Sequence, residues 1–297
     1  MDADPGSGAA IETDAVVARL RAAGCVFAED EALLLLEAAR QDAPDRSFGG
    51  THPAAAAMTD TSRDASALEQ MIARRVAGEP LEYILGWVEF CGMRVAIDSG
   101  VFIPRQRTAF LAERAAKLAP EHPVILDLCC GCGAIGLAVH ARTGGELHAA
   151  DIEAVAASCA RRNLDPVGGH VYRGDLFAPL PTELRGRIDV LTANVPYVPT
   201  GELDLMPVEA REHEPVVTHD GGTDGLDLAR RVAAEAPLWL AASGRIFIET
   251  SVAQAPALCA AFAATGLDAV PQHDRARAAT IVVAQLLQSS PPPPACA

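Results

Sequence analysis

From Val124 onward the chain alternates short apolar runs, glycine-containing turns and helical stretches, and few folds accept that alternation. Val124–Leu128 reads as a strand and Ala134–Ala141 as the helix after it. Glu146–Ala150 and Glu153–Asn163 repeat the pair. His170–Tyr172 and Ile188–Ala193 are further strands, and after a long loop a helix is expected near Leu226–Ala236. Arg245–Glu249, Pro256–Ala264, Leu267–Pro271 and Thr280–Leu286 read as strand, helix and two closing strands. Strands that alternate with helices pair in parallel, because each helix carries the chain back across the sheet. The expected fold is therefore α/β, a doubly wound, mainly parallel sheet. Ligands of such sheets collect at the carboxyl ends of the strands.

Residues 1–79 read as a small helical domain. Residues 1–10 are expected to be disordered. Val16, Val17 and Leu20, then Ala32, Leu33, Leu35 and Leu36 beyond Gly24, follow helical apolar spacing, with Thr13-Asp14 as a cap. Residues 41–65, rich in Ala, Gly, Pro, Asp, Ser and Thr, read as a loop, and a further helix runs from about Ala65 to Ala77. Residues 80–107 form a linker in which Trp87–Val95 folds into a hairpin turning near Gly92. A helix capped by Thr108 opens the third segment, 108–287. The proline-rich tail, 288–297, is expected to be disordered.

The turn Asp127-Leu128-Cys129-Cys130-Gly131-Cys132-Gly133 joins the first strand of this sheet to its helix. Its glycines let the backbone approach a ligand closely, and its small side chains keep it tight. Asp151 ends the next strand, about 20 residues beyond Gly131, where an acid accepts hydrogen bonds from ribose hydroxyls. Turn and acid together point to an adenosyl cofactor. Cys129 and Cys132 also have C-x-x-C spacing, which zinc sites and redox pairs share. A zinc site needs two more ligands, and no second pair has suitable spacing. Small residues filling a tight turn are the preferred reading, and no metal is expected.

Asn194-Val195-Pro196-Tyr197 follows the strand Ile188–Ala193 and sets an amide, a stiffened backbone and an aromatic ring at a strand end. An amide or aryl NH₂ is a poor nucleophile, because its lone pair is delocalised. Two acceptors that grip its hydrogens align that lone pair with an electrophile. The Asn194 side-chain oxygen and the Val195 backbone carbonyl are the expected acceptors, with Pro196 stiffening the turn and Tyr197 stacking on the planar group. Three more polar residues leave alternatives open. Arg105 pairs with a substrate carbonyl or with a nearby carboxylate, Glu249 lines the cleft or is structural, and Asp175 faces a ligand or caps a turn. His213 reads as a surface loop residue rather than a base.

The glycine turn resembles the D-x-G-x-G-x-G motif of class I S-adenosylmethionine-dependent methyltransferases, with Cys129 in place of the first glycine. Asn194–Tyr197 resembles the N-P-P-Y motif of amino-methyltransferases acting on adenine N6, cytosine N4 or glutamine N5, with Val195 in place of the first proline. Pro80–Gly86, Phe102–Arg105, Arg211–Pro215 and Asp220–Leu226 resemble segments of the HemK/PrmC family, within a likeness that spans residues 13–286. That family usually continues Ile-Pro-Arg with Pro, an acid, Thr and Glu, where this chain has Gln106, Arg107, Thr108 and Ala109. The resemblance implies a Rossmann-like, seven-stranded methyltransferase sheet and S-adenosylmethionine as cofactor. It implies methylation of glutamine N5 in the Gly-Gly-Gln motif of peptide-chain release factors, with the helical domain 1–79 contacting the factor. By the same resemblance the cofactor site comprises Asp127, Cys129, Cys130, Gly131, Cys132, Gly133, Asp151, Ile152, Asp175, Leu176 and Asn194. The catalytic residues it implies are Asn194, Val195, Pro196 and Tyr197.

Charge narrows the substrate further. Lys and Arg number 24 against 39 Asp and Glu, a net charge of −15, and an acidic surface repels phosphate backbones. Direct nucleic-acid binding is not expected, which ranks methylation of adenine N6 or another base behind a protein glutamine. A paralogue modifying another protein, or a non-catalytic module that keeps the cofactor fold, is the reading prompted by Cys129, Val195 and residues 106–109. Of eight cysteines, three lie in the turn and the rest are scattered, unlike a secreted disulfide framework. The acidic N-terminus lacks a signal pattern, and no apolar run approaches the ~20 residues of a membrane helix. A cytoplasmic monomer without membrane contact is expected.

Overall fold

The computed structural model describes residues 5–41 and 53–287, with side chains over 13–40 and 65–287. The chain divides into two compact units, Met1–Gly86 and Trp87–Ala297. In the first, α1 (Pro5–Ala22), α2 (Ala28–Gln41), α3 (Pro53–Val76) and α4 (Leu81–Leu85) supply a core that includes Val16, Leu20, Leu35, Leu36, Leu68 and Ile72. Four expectations from sequence fail here, wholly or in part. Helix α1 begins at Pro5, so Thr13 and Asp14 lie inside it and do not cap it, and the expected disorder of residues 1–10 does not hold from Pro5 on. Proline fits a first helical turn, where its missing N–H has no partner to lose. The expected loop 41–65 is helical from Pro53. Beyond Pro53 that stretch has no further glycine or proline, and its alanines sustain a helix through the Ser, Thr and Asp between them. Residues 1–4, 42–52 and 288–297 lie outside the described residues, and with them the expected tail. Leu33, expected on the apolar stripe, is 58% exposed.

The second unit opens with an antiparallel hairpin, β1 (Trp87–Phe90) and β2 (Met93–Ala96). Seven strands follow: β3 (Val124–Leu128), β4 (Glu146–Asp151), β5 (His170–Arg173), β6 (Ile188–Ala193), β7 (Leu240–Glu249), β8 (Leu267–Asp274) and β9 (Ala279–Leu286). They form one sheet in the order β5-β4-β3-β6-β7-β9-β8. The first five in that order are parallel, while β9 runs antiparallel to both neighbours. The doubly wound, mainly parallel sheet expected from the alternation is present, with the seven strands that the family resemblance implies. Consecutive residues of β3 and β6 are buried, so both faces of the sheet are covered there. The helices of this unit are α5 (Ala109–Leu118), α6 (Ala134–Thr143), α7 (Ala154–Leu164), α8 (Val208–His213), α9 (Asp227–Glu235) and α10 (Ala255–Ala264). Among the described residues, no helix is long and apolar enough to cross a membrane.

The winding reverses at β3. The chain steps outward through β4 and β5, then returns to place β6 on the other side of β3. Leu128 pairs with Ala193, so Cys129 and Asn194, one residue further on, leave the sheet side by side. A reversal of this kind opens a crevice at the carboxyl ends of the two strands. One local expectation near it fails. Thr108 does not cap α5: a single 3₁₀ turn, Gln106–Thr108, already carries the chain into helical geometry. Capping needs an extended backbone at that position, and the Thr108 hydroxyl is buried without a partner.

Candidate active site

A cleft opens at the reversal. Cys129, Cys130, Gly131 and Cys132 line it from the turn after β3, Asp151 and Ile152 from the end of β4. Asp175 and Leu176 line it from the segment after β5, Asn194 and Pro196 from the segment after β6. Asp127, Gly133, Val195 and Tyr197, also expected at the site, are not among its lining residues.

The turn and the acid beyond it are one hydrogen-bonded structure. Asp151 Oδ2 accepts the Gly131 N–H at 2.8 Å, and Oδ1 accepts the Glu153 N–H at 2.9 Å. Burial pushes the Asp151 carboxyl above the usual carboxylate range, although these backbone donors pull the other way. Asp127 is fully buried. Its Oδ2 accepts the Gly136 N–H at 2.9 Å and its Oδ1 the Thr192 hydroxyl at 2.8 Å. Asp127 thus ties the first turn of α6 to β6 and fixes the frame of the cleft. Burial pushes its carboxyl up to about 7, against the pull of those two donors.

Two non-glycine residues of the cleft wall stand in the left-handed region, Cys129 at φ 52° and Leu176 at φ 47°. Each such residue costs on the order of 1–2 kcal/mol and persists only where its surroundings hold it. Cys129 is packed against the main core cluster. Burial, with nearby Asp151 for two of them, pushes the thiols of Cys129, Cys130 and Cys132 well above their usual value, so they behave as small apolar groups. Among the described residues, no group of three or more His, Cys, Asp or Glu is arranged to hold a metal.

In the segment after β6, the Asn194 side-chain oxygen is buried and has no hydrogen-bond partner. Val195 is sunk in the core, 1% exposed. The Tyr197 carbonyl accepts Gln254 Nε2 at 2.8 Å, and a Cβ on Gly225 would come within 2.2 Å of that same oxygen. Only glycine lets the Asp220–Leu226 loop close so tightly on the motif. The Tyr197 hydroxyl accepts from Arg107 Nη2 at 2.8 Å and donates to Glu249 Oε1 at 3.1 Å. Burial, then the Glu249 charge, pushes Tyr197 up to about 12.

The open choice at Arg105 resolves to a carboxylate. Its Nη2 lies 2.5 Å from Glu214 Oε2, while Glu214 Oε1 accepts the Ile103 N–H at 3.1 Å. His219 Nε2 stands 2.9 Å from the same carboxylate without hydrogen-bond geometry, so it adds an ion pair only when protonated. Its ring meets Phe102 edge-on at 5.7 Å. Asp175 pairs with Arg231 at 2.6 Å, and both line the cleft. Neither Glu214 nor Arg107 was expected at the site, although Arg107 falls in the altered segment 106–109. Glu214 lies in the Arg211–Pro215 stretch already singled out, whereas nothing local marks Arg107 as a partner of Tyr197.

These residues fit an adenosyl ligand. Leu176 is 5% exposed and Ile152 52% exposed, and both offer apolar surface suited to a ring, beside the acceptors Asp151 and Asp175. The unpartnered Asn194 oxygen needs a donor, and an unsatisfied buried acceptor is expensive to leave so. An incoming N–H answers that need.

Known proteins resemble this chain along most of its length. The PrmC N-terminal domain model matches residues 14–86 and the Methyltransferase small domain model matches residues 93–210. A release factor glutamine methyltransferase of Bradyrhizobium diazoefficiens is 34% identical over 260 residues, covering 85% of this chain and 86% of the relative. One of Geobacter sulfurreducens is 36% identical over 208 residues, covering 68% and 71%. A 4-amino-L-phenylalanine/4-methylamino-L-phenylalanine methyltransferase of Streptomyces pristinaespiralis is 32% identical over 204 residues, covering 66% and 69%.

Proposed function

This chain belongs to the release factor glutamine methyltransferase family, and we propose that it methylates the side-chain N5 of the glutamine in the Gly-Gly-Gln motif of a peptide-chain release factor. The observation that carries this reading is the unpartnered Asn194 oxygen on a cleft shared with Asp151. Both belong to a chain whose relatives of that name match it over most of its length.

S-adenosylmethionine, when bound, supplies a methyl group already activated by its sulfonium. In this reading Asp151 holds the ribose hydroxyls, Ile152 and Leu176 flank the adenine with Asp175 beside it, and the Cys129–Gly133 turn carries the methionine part. Asp127 acts behind them as a positioning residue, through Gly136 and Thr192. The substrate NH₂ gives one hydrogen to Asn194 Oδ1 and the other to the Val195 carbonyl, which turns the nitrogen lone pair towards the methyl carbon. Pro196 keeps the backbone rigid, and Tyr197, bonded to Arg107 and Glu249 outside the cleft lining, steadies the segment instead of stacking on the amide. The nitrogen sheds its extra proton to water after transfer, so no general base is required.

The helical unit is the part that engages the factor. Val26, Phe27 and Leu33 are 83%, 67% and 58% exposed there, and apolar side chains left in water favour a protein contact. The chain acts as a cytoplasmic monomer on protein rather than nucleic acid, a reading its charge of −15 supports. Transfer of labelled methyl by the purified chain to a panel of release factor, RNA, DNA and 4-amino-L-phenylalanine tests it. Label in the release factor alone is expected. Label in a nucleic acid or in the free amino acid, with none in the factor, would reject it.

A further inference from the structure

The segment after β6 separates two cavities. Asn194 and Pro196 line the cleft described above, and Tyr197 lines a second, more open pocket shared with Arg107 and Glu249. Arg107 stands where the HemK/PrmC pattern has an acid. Its guanidinium grips both neighbours: Nε donates to Glu249 Oε1 at 3.1 Å and Nη2 to the Tyr197 hydroxyl at 2.8 Å. The Arg107 side chain is nevertheless 45% exposed. The Glu249 side chain is 3% exposed, and its Oε2 has no hydrogen-bond partner.

This second pocket therefore presents a cationic donor on its wall, backed by a buried carboxylate oxygen that lacks one. Arg105 and Arg277 also line this pocket but are already paired with Glu214 and Glu113, so a phosphate would meet the Glu249 charge and an ammonium group the Arg107 charge, and an isolated ion of either sign is disfavoured. A neutral group offering one acceptor and one donor satisfies both, and a main-chain peptide group does so. We infer that Arg107 and Glu249 form a subsite for the polypeptide flanking the target glutamine, with Arg107 donating to a main-chain carbonyl and Glu249 accepting a main-chain N–H. The inference rests on the proposed protein substrate, and Tyr197 links the subsite to the motif that holds the glutamine.

Steady-state kinetics of the full chain test it, with intact release factor and with synthetic Gly-Gly-Gln peptides in which the peptide bond on either side of the glutamine is replaced by an ester. Arg107→Ala is expected to raise KM for the release factor about tenfold, with kcat within threefold and cofactor affinity, read by calorimetry, within twofold. At one of the two positions the ester, which lacks the N–H, is expected to raise KM for the wild type about tenfold. Unchanged KM in either arm overturns the subsite. So does a fall in kcat at constant KM, which would mean that Arg107 only holds Tyr197. Competition by free 4-amino-L-phenylalanine that is lost in Arg107→Ala would also overturn it, because the pair would then be reading an amino-acid zwitterion. If the wild type labels no release factor at all, the protein-substrate reading fails as well, an outcome distinct from labelling with unchanged KM.

Discussion

Glu214 Oε2 lies 2.5 Å from Nη2 of Arg105, although 109 residues separate the two in sequence. The same carboxylate accepts the Ile103 N–H, and its side chain is 1% exposed. It fastens the Phe102–Arg105 segment to the loop that carries Val217 and Thr218, and both pieces contribute to the cleft wall. Glu214→Ala is expected to lower stability by about 1–3 kcal/mol, less than for a fully buried pair because Arg105 still reaches water. Cofactor affinity is expected to fall at least tenfold. Urea unfolding and calorimetry measure the two effects, and an unchanged cofactor affinity would remove the clamp from the site.

Asn194→Ala is expected to slow methyl transfer by about 10²–10³, the usual effect of removing one hydrogen-bonding group aimed at a transition state. Cofactor affinity should stay within a few-fold, since Asp151 and the turn are untouched. Turnover near the wild-type rate, measured with labelled cofactor, would take Asn194 out of the mechanism.

Cys129 holds a left-handed backbone, so its replacements should rank by their tolerance of that conformation. Cys129→Gly loses some packing but relieves the strain, and is expected to change stability by no more than about 1 kcal/mol. Cys129→Val adds a β-branch where φ is positive and is expected to destabilise by about 1–3 kcal/mol. Thermal melting that ranks valine above glycine would contradict the strain.

The Asp127 carboxyl gives a pH dependence of defined sign. Its value in the folded chain is raised from 3.8 to about 7, chiefly by burial. A raised carboxyl contributes stability while it keeps its proton, and loses that contribution as pH rises through the folded value. Asn cannot ionise, so the stability difference between wild type and Asp127→Asn should move in the variant's favour from pH 4 to pH 7 and flatten above. The size is on the order of 2–4 kcal/mol. Paired urea titrations across that range would contradict this if the difference did not change.

The sheet was legible because its strands are short apolar runs between turns, and their burial on both faces is what such runs encode. The cleft was legible for the same reason, since Cys129 and Asn194 each stand one residue past a strand and the winding order brings those ends together. What escaped depends on distant pairing. Arg107 meets Glu249 across 142 residues and Tyr197 across 90, and no local pattern specifies either contact. Asp127 has the spacing of a ligand contact, yet its bonds run to Gly136 and Thr192. In α3, composition alone suggested a loop, where the absence of glycine and proline after Pro53 decided for helix.

The most direct test of the central claim is tandem mass spectrometry of a release factor after incubation with the purified chain and S-adenosylmethionine. The account predicts one added methyl group, on the side-chain nitrogen of the Gly-Gly-Gln glutamine, and none with Asn194→Ala. An unmodified glutamine, or a methyl group on another residue of the factor, would contradict it.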